Sequence, residues 1–270
     1  MTSQGGMLAG KRGLIMGVAN EKSLAWGIAK AAADAGAELA FTYQAESFAK
    51  RVTPLAESVG SQITIPCDVS DDADLDRAFA DLQQHWDRLD FVVHAIAYSD
   101  KGQLKGRYID TTRHNFRHTL SISAYSFTAV AQRAMAMMGD GGSLLTLSYL
   151  GAERVTPNYN VMGVAKAALE ASVRYLAADL GPHGIRVNAL SAGPMRTLAG
   201  SAIADARFVF RWSAEQAPLH RNVELEEVGR SGAYLLSDFA AGVTGEVHHV
   251  DGGYHAVAIP HPDRVNTKKD

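Results

Sequence analysis

Seven short apolar runs, each followed by a longer stretch of helical pattern, limit the folds open to this chain more than any other feature. The runs are Arg12–Met16, Glu38–Tyr43, Ile63–Cys67, Phe91–Ala95, Ser143–Ser148, Arg186–Ser191 and Glu246–Val250. Helical patterns fall near residues 24–35, 45–58, 72–86, 113–138, 160–181 and 224–237. Continuous apolar runs such as Phe91-Val92-Val93-His94-Ala95 suit strands covered on both faces. Regular β–α alternation predicts an α/β fold: a doubly wound parallel sheet with right-handed crossovers and helices on both faces. No repeat, low-complexity tract or Pro/Ser-rich linker interrupts the pattern, so one domain is expected over residues 1–270. The least regular segment is Gly193–Asn222. It follows a strand end, where α/β sheets bind ligands, and is expected to form a substrate lid.

Composition removes several classes of function. With 270 residues and 47% hydrophobic content, the chain can bury one large core. A net charge of -3 without a polybasic run gives no basis for a nucleic-acid or membrane-surface partner. No stretch approaches the ~20 apolar residues needed to span a bilayer. The start, Met1–Gly6, lacks the charged end and apolar stretch of a signal peptide, and the single Cys67 suits a reducing compartment. A soluble, cytoplasmic chain is expected. Its ten histidines show no metal spacing with a partner carboxylate, so no metal is expected.

Three strand ends suggest a dinucleotide. After the first run comes Gly17-Val18-Ala19-Asn20-Glu21-Lys22-Ser23-Leu24, longer than Gly-x-Gly-x-x-Gly but placed at the first βα turn of a Rossmann-like layout. Ser23 is positioned to cap the next helix or to offer its hydroxyl to phosphate. Asp68, after the third run, is either an acceptor for an adenine amino group or a helix cap. Ala95-Ile96-Ala97, after the fourth, is either a close approach for cofactor or tight helix packing. At the end of the second run, Tyr43-Gln44-Ala45-Glu46 carries no basic residue before Lys50, which favours NADH over its 2′-phosphorylated form.

The chemistry-bearing element is Ser148-Tyr149 followed by Tyr159-Asn160-Val161-Met162-Gly163-Val164-Ala165-Lys166. Seven residues make about two helical turns, roughly 10 Å of rise, so Tyr159 and Lys166 can share a face. A phenol can donate to a developing oxyanion, and a nearby ammonium can favour its phenolate and hold a cofactor hydroxyl. The pair alone also fits a core tyrosine and a solvated lysine. His94, inside an apolar run, reads as a satisfied core residue.

Together with these loops, the run Asn188–Pro194 and the ending Thr244–Gly253, the chain resembles the short-chain dehydrogenase/reductase superfamily along nearly its whole length. Ordinary members carry Tyr-x3-Lys; here Met162 stands at that tyrosine position and Tyr159 lies three residues earlier. This spacing, with Leu147–Arg154, Pro157–Gly163 and His94–Ala97, resembles the divergent branch of bacterial enoyl–acyl carrier protein reductases of type II fatty-acid synthesis. Conjugate reduction accounts for it. Hydride reaches the β-carbon, two bonds or roughly 2.5 Å from the carbonyl carbon. The acid therefore stands farther from the nicotinamide, and three residues are nearly one helical turn.

The resemblance implies NADH as cofactor, an enoyl group on acyl carrier protein as substrate and a homotetramer. It assigns Tyr159 to the enolate oxygen and Lys166 to the nicotinamide ribose. Tyr149 faces the site as either a donor or a positioning residue. Cofactor contacts fall on Gly17, Ser23, Leu24, Gln44, Asp68, Val69, Ile96, Lys166 and Thr197; substrate contacts fall on Ala97, Tyr149, Tyr159 and Met162. Two departures stand out. Ala97 occupies a position where many relatives carry Gly, and Ala204–Arg211 holds few basic residues for docking an acidic carrier. A carbonyl reductase of the same superfamily and a catalytically silent dinucleotide sensor remain the alternatives.

Overall fold

Every predicted strand forms, with ends within about one residue of expectation. The computed structural model describes residues 6–197 and 206–259. The strands are β1 Arg12–Met16, β2 Glu38–Tyr43, β3 Ile63–Pro66, β4 Phe91–His94, β5 Gly142–Ser148, β6 Ile185–Ala192 and β7 Val247–Val250. They form one sheet in the order β3-β2-β1-β4-β5-β6-β7. Every pairing is parallel. Helices α1 Leu24–Asp34, α2 Glu46–Ser58 and α3 Asp72–His85 follow the first three strands. After β4 come a single turn α4 Lys101–Leu104, α5 Arg113–Leu120 and α6 Ser126–Met135; α7 Asn160–Leu180, α8 Ala206–Gln216 and α9 Leu225–Leu236 complete the set.

Alternation along each strand divides the interior into two cores. Leu14, Met16, Val92, Leu144 and Val187 face one core, with Phe127, Leu169 and Val173 from α6 and α7. Ile15, Phe41, Val93, Leu145 and Leu190 face the other, with Ile28 from α1 and Val228 from α9. Both faces of the sheet are therefore covered, as continuous apolar strands require. Strand order reverses between β1 and β4, and such a switch opens a ligand crevice beyond the strand C-termini.

Two segments differ in detail from expectation. Residues 113–135 are helical without a break, as expected, but a π-turn at Ser121–Tyr125 joins α5 to α6. Side-chain hydroxyls compete for the backbone there. Ser123 Oγ accepts from Tyr98 N (2.9 Å) and donates to Tyr98 O (3.0 Å), while Ser126 Oγ donates to Ile122 O (2.6 Å). The 193–222 segment, expected to be irregular, contains the eleven-residue helix α8. Residues 198–205 of that segment lie outside the described residues, as do 260–270 at the C-terminus.

Candidate active site

The loops leaving β1, β4, β5 and β6 meet at one end of the sheet. Gly17 leaves β1 at φ +98°, and a Cβ on it would sit 2.1 Å from Ala95 O. Only glycine lets the β1 and β4 exits lie this close. Ser23 occupies the N-cap position of α1, but of the two roles open to its hydroxyl the side-chain cap is not made. Its Oγ instead turns back to accept from Ala19 N (3.0 Å) and Asn20 N (3.1 Å), which folds the loop into a tight bend. Ser23 is buried and Leu24 half-buried against the α1-side core.

On the β2–β3 side, Gln44 Nε2 donates to Asp68 Oδ2 at 3.1 Å, joining two residues singled out on separate strands. Burial pushes the Asp68 carboxyl up, but hydrogen bonds from Ser70 and Gln44 outweigh it and hold the group below the usual carboxylate range. Val69 and Ile96 are half-buried against the α7-side core; Ala97 is exposed. Thr197, half-buried, donates its amide to Met195 O at 2.9 Å. The β4 exit is pinned further by Asn115 Oδ1, which accepts from Asp100 N at 3.1 Å, and by Thr119 Oγ1, which donates to Ser99 Oγ at 2.9 Å.

Tyr159 stands at the N-cap of α7, and Lys166 lies two turns on in the same helix. Asn158 (φ +59°) and Asn160 (φ +40°), on either side of the tyrosine, are two of only three non-glycine residues with positive φ among those described. Such strain persists where surrounding contacts enforce it. One contact is visible: Asn160 Nδ2 donates to Leu104 O (3.1 Å) and Gly106 O (3.2 Å), tying α4 to the start of α7. The Tyr159 ring rests on Gly151, where a Cβ would come within 2.4 Å of its Cδ1. Tyr149 meets Tyr159 edge to face, with centroids 5.1 Å apart at 70°. Met162, Val161, Ala165 and Leu104 pack with Tyr159 in a small apolar cluster, flanked by Phe116, Leu120 and Tyr149. Tyr149, Tyr159 and Met162 are thus brought together; exposed Ala97 is not part of that cluster.

Burial sets the protonation states here. Desolvation raises the Tyr159 phenol well above its ordinary range, and Tyr149 and Glu170 add to the effect. Tyr159 is therefore a neutral phenol able to donate. Burial likewise pushes Tyr149 up to about 12. Lys166 is only 7% exposed, so it is not the solvated lysine the pair alone allowed. Desolvation lowers its pKa to about 8, with Glu170 pulling upward, and Nζ donates to Leu147 O at 2.6 Å. His94 is fully buried between Ser126 Oγ (2.8 Å) and Thr146 Oγ1 (3.1 Å), a satisfied core residue as read. Desolvation and the Lys166 charge lower its pKa to about 3.

The family described as Enoyl-(Acyl carrier protein) reductase matches residues 17–255, which include every one of these loops. The chain belongs to that family. It is 60% identical to Enoyl-[acyl-carrier-protein] reductase [NADH] 1 of Rhizobium meliloti (strain 1021), with 100% of each chain covered. Among solved structures, FabI from Candidatus Liberibacter asiaticus superposes with a TM-score of 0.93 at 54% identity, covering 95% of this chain and 99% of that one. The enoyl-(acyl-carrier-protein) reductase of Anaplasma phagocytophilum, solved in complex with NAD, superposes at 0.92 with 58% identity, covering 96% and 98%.

Within this member of the enoyl-acyl carrier protein reductases, three features escaped the sequence reading. They are the left-handed asparagines, the π-turn that holds Tyr98, and buried Glu170, one turn beyond Lys166. The first had a signal, since asparagine tolerates positive φ better than most residues. The others depend on contacts between distant elements. Among the described residues, no group of three or more His, Cys, Asp or Glu is placed to hold a metal, and no helix is long and apolar enough to cross a membrane.

Proposed function

We infer that this chain reduces the trans-2 double bond of enoyl thioesters carried on acyl carrier protein, with NADH as the reductant, in fatty-acid synthesis. Membership of the family and 60% identity over full length to a relative named for NADH carry the reading. The site's residues fit the dinucleotide. Gly17 allows the β1 exit to lie close to Ala95; Gln44, bonded to Asp68, would take the adenosine end without a basic residue, and buried Lys166 would take the nicotinamide ribose. When bound, NADH supplies the hydride that reaches the β-carbon.

The protein's own groups handle position and charge. Tyr159, held neutral by burial, donates its hydroxyl hydrogen bond to the thioester oxygen as that oxygen becomes an enolate. Lys166 holds the ribose hydroxyls and places positive charge near the enolate. Tyr149 packs against the Tyr159 ring, and its phenol, which shares a hydrogen bond with Thr156, is the second candidate donor. Gly17, Ser23, Leu24, Gln44, Asp68, Val69, Ile96 and Thr197 line the cofactor path, and Met162 with Ala97 borders the acyl group. Closure of the 193–222 segment over the site would exclude water and strengthen these polar contacts. Phe208, half-exposed and stacked on Trp212 at 6.0 Å, offers the closing lid an apolar face.

A cytoplasmic homotetramer is part of the same reading. Tyr125 and Tyr175 are exposed on the outer side of the π-turn and α7, and Ile259 projects at the C-terminal end. Subunit contacts would cover this apolar surface. Light scattering at micromolar concentration should return four times the 28.9 kDa chain mass; a monomer would refute the assembly. The function itself is tested by NADH and NADPH oxidation with crotonyl and acetoacetyl thioesters. The expected order places NADH with crotonyl first, and faster turnover of acetoacetyl would refute enoyl reduction.

A further inference from the structure

Glu170 is a buried carboxylate, 6% exposed, with no part in the chemistry above. It lies on α7 four residues after Lys166, so the two side chains share a helix face. Adjacent residues of β5 receive them. Leu147 O accepts from Lys166 Nζ at 2.6 Å, and Ser148 Oγ donates to Glu170 Oε1. The charges are not in a direct ion pair; each is fixed separately against the strand.

We propose that Glu170 is a positioning residue that keeps the Lys166 ammonium charged inside the core, acting across one helical turn, and that Ser148 holds the carboxylate in place for this. The proposal rests on the ribose-binding role of Lys166. An amine buried this deeply loses the hydration that stabilises its charge, and a carbonyl dipole from Leu147 replaces only part of it. A nearby fixed carboxylate supplies the rest.

The groups facing the pair are few. From β4, His94 is neutral, and from the start of α7, Tyr159 is a neutral phenol. Among the described residues, Glu170 is therefore the one ionisable group that favours the charged state of Lys166, beside the Leu147 carbonyl. Glu170 in turn faces Glu153 after β5, His249 of β7 and Arg174 of α7. Burial and Glu153 raise its pKa, while Ser148, His249 and Arg174 lower it.

The test is the pH dependence of NADH affinity, read by fluorescence titration, alongside kcat/KM on crotonyl thioester. Wild type should lose affinity as pH rises through about 8, where Lys166 gives up its proton. In Glu170→Gln, which keeps an acceptor for Ser148, that loss should begin about one pH unit lower, with the change confined to the alkaline side. Glu170→Asp should restore part of the shift. Ser148→Ala, which loosens the carboxylate without removing it, should give a smaller displacement in the same direction. Equal loss at every pH, or an alkaline limb that stays in place, would assign Glu170 a merely structural role and overturn the proposal. Lys166→Ala separates the two readings. If it retains wild-type NADH affinity, the lysine role itself has failed; if it loses affinity while Glu170→Gln keeps the wild-type limb, only the Glu170 proposal has failed.

Discussion

The rings of Tyr149 and Tyr159 meet edge to face, with centroids 5.1 Å apart at 70°, so the two phenols are one packed unit. This geometry separates a donor from its support. Tyr159→Phe should lower kcat with little change in NADH affinity, because its hydrogen bond strengthens only as the enolate forms. Loss of one such donor costs about 3 kcal/mol in comparable sites, less if Tyr149 substitutes. A Tyr149→Phe/Tyr159→Phe double variant slower than the product of the singles would identify Tyr149 as that reserve donor; simple additivity would leave it a support.

Gly151→Ala tests whether the ring position matters independently of the hydroxyl. The new methyl would fall 2.4 Å from Tyr159 Cδ1, so the ring must move. Turnover should fall by about 10²-fold while NADH affinity is retained, since a displacement near 1 Å has effects of that size. Wild-type turnover in a folded variant would show that Tyr159 need not rest where it does.

Lys166→Ala should lose NADH affinity as well as turnover, because a ribose contact is made in both the ground and transition states. Titration of NADH against the variant checks this. Unchanged affinity would remove the ribose role.

His94 gives a stability prediction with a defined sign. Its pKa is about 3 when folded and near 6.5 when unfolded, so between these values the unfolded chain binds more protons. Stability should therefore fall as pH drops from 6.5 toward 3, by up to a few kcal/mol from this residue. Urea unfolding at pH 7.5 and 4.5 should show a larger loss in wild type than in His94→Gln. Equal losses would mean that His94 is not held neutral.

Much of this molecule was legible as sequence because its signals are local. Phe91-Val92-Val93 is apolar without a break, as suits a strand covered on both faces. Tyr159 and Lys166 could be paired from helical spacing, and Gly17 from its place after β1. What was not legible shares a cause. Ser23 stands at the N-cap, yet its hydroxyl is taken by Ala19 and Asn20 amides in its own loop. Residues 113–135 are helical as their pattern says, but the π-turn inside them depends on Ser123 bonding Tyr98, twenty-five residues away. That Tyr159 and Lys166 are both desolvated depends on packing from other elements, which helical spacing does not show. Glu170 reads as an ordinary helix residue until Ser148 is seen beside it.

On the proposed function, Tyr159 stands where it does because hydride goes to the β-carbon and not to a carbonyl carbon. Reduction of crotonyl thioester with NADH deuterated at the transferred C4 position tests this directly, with product analysed by NMR. Deuterium at C3 of a saturated butyryl thioester, with a solvent-derived hydrogen at C2, is the predicted result. Deuterium at C1 of an alcohol or aldehyde product would contradict it.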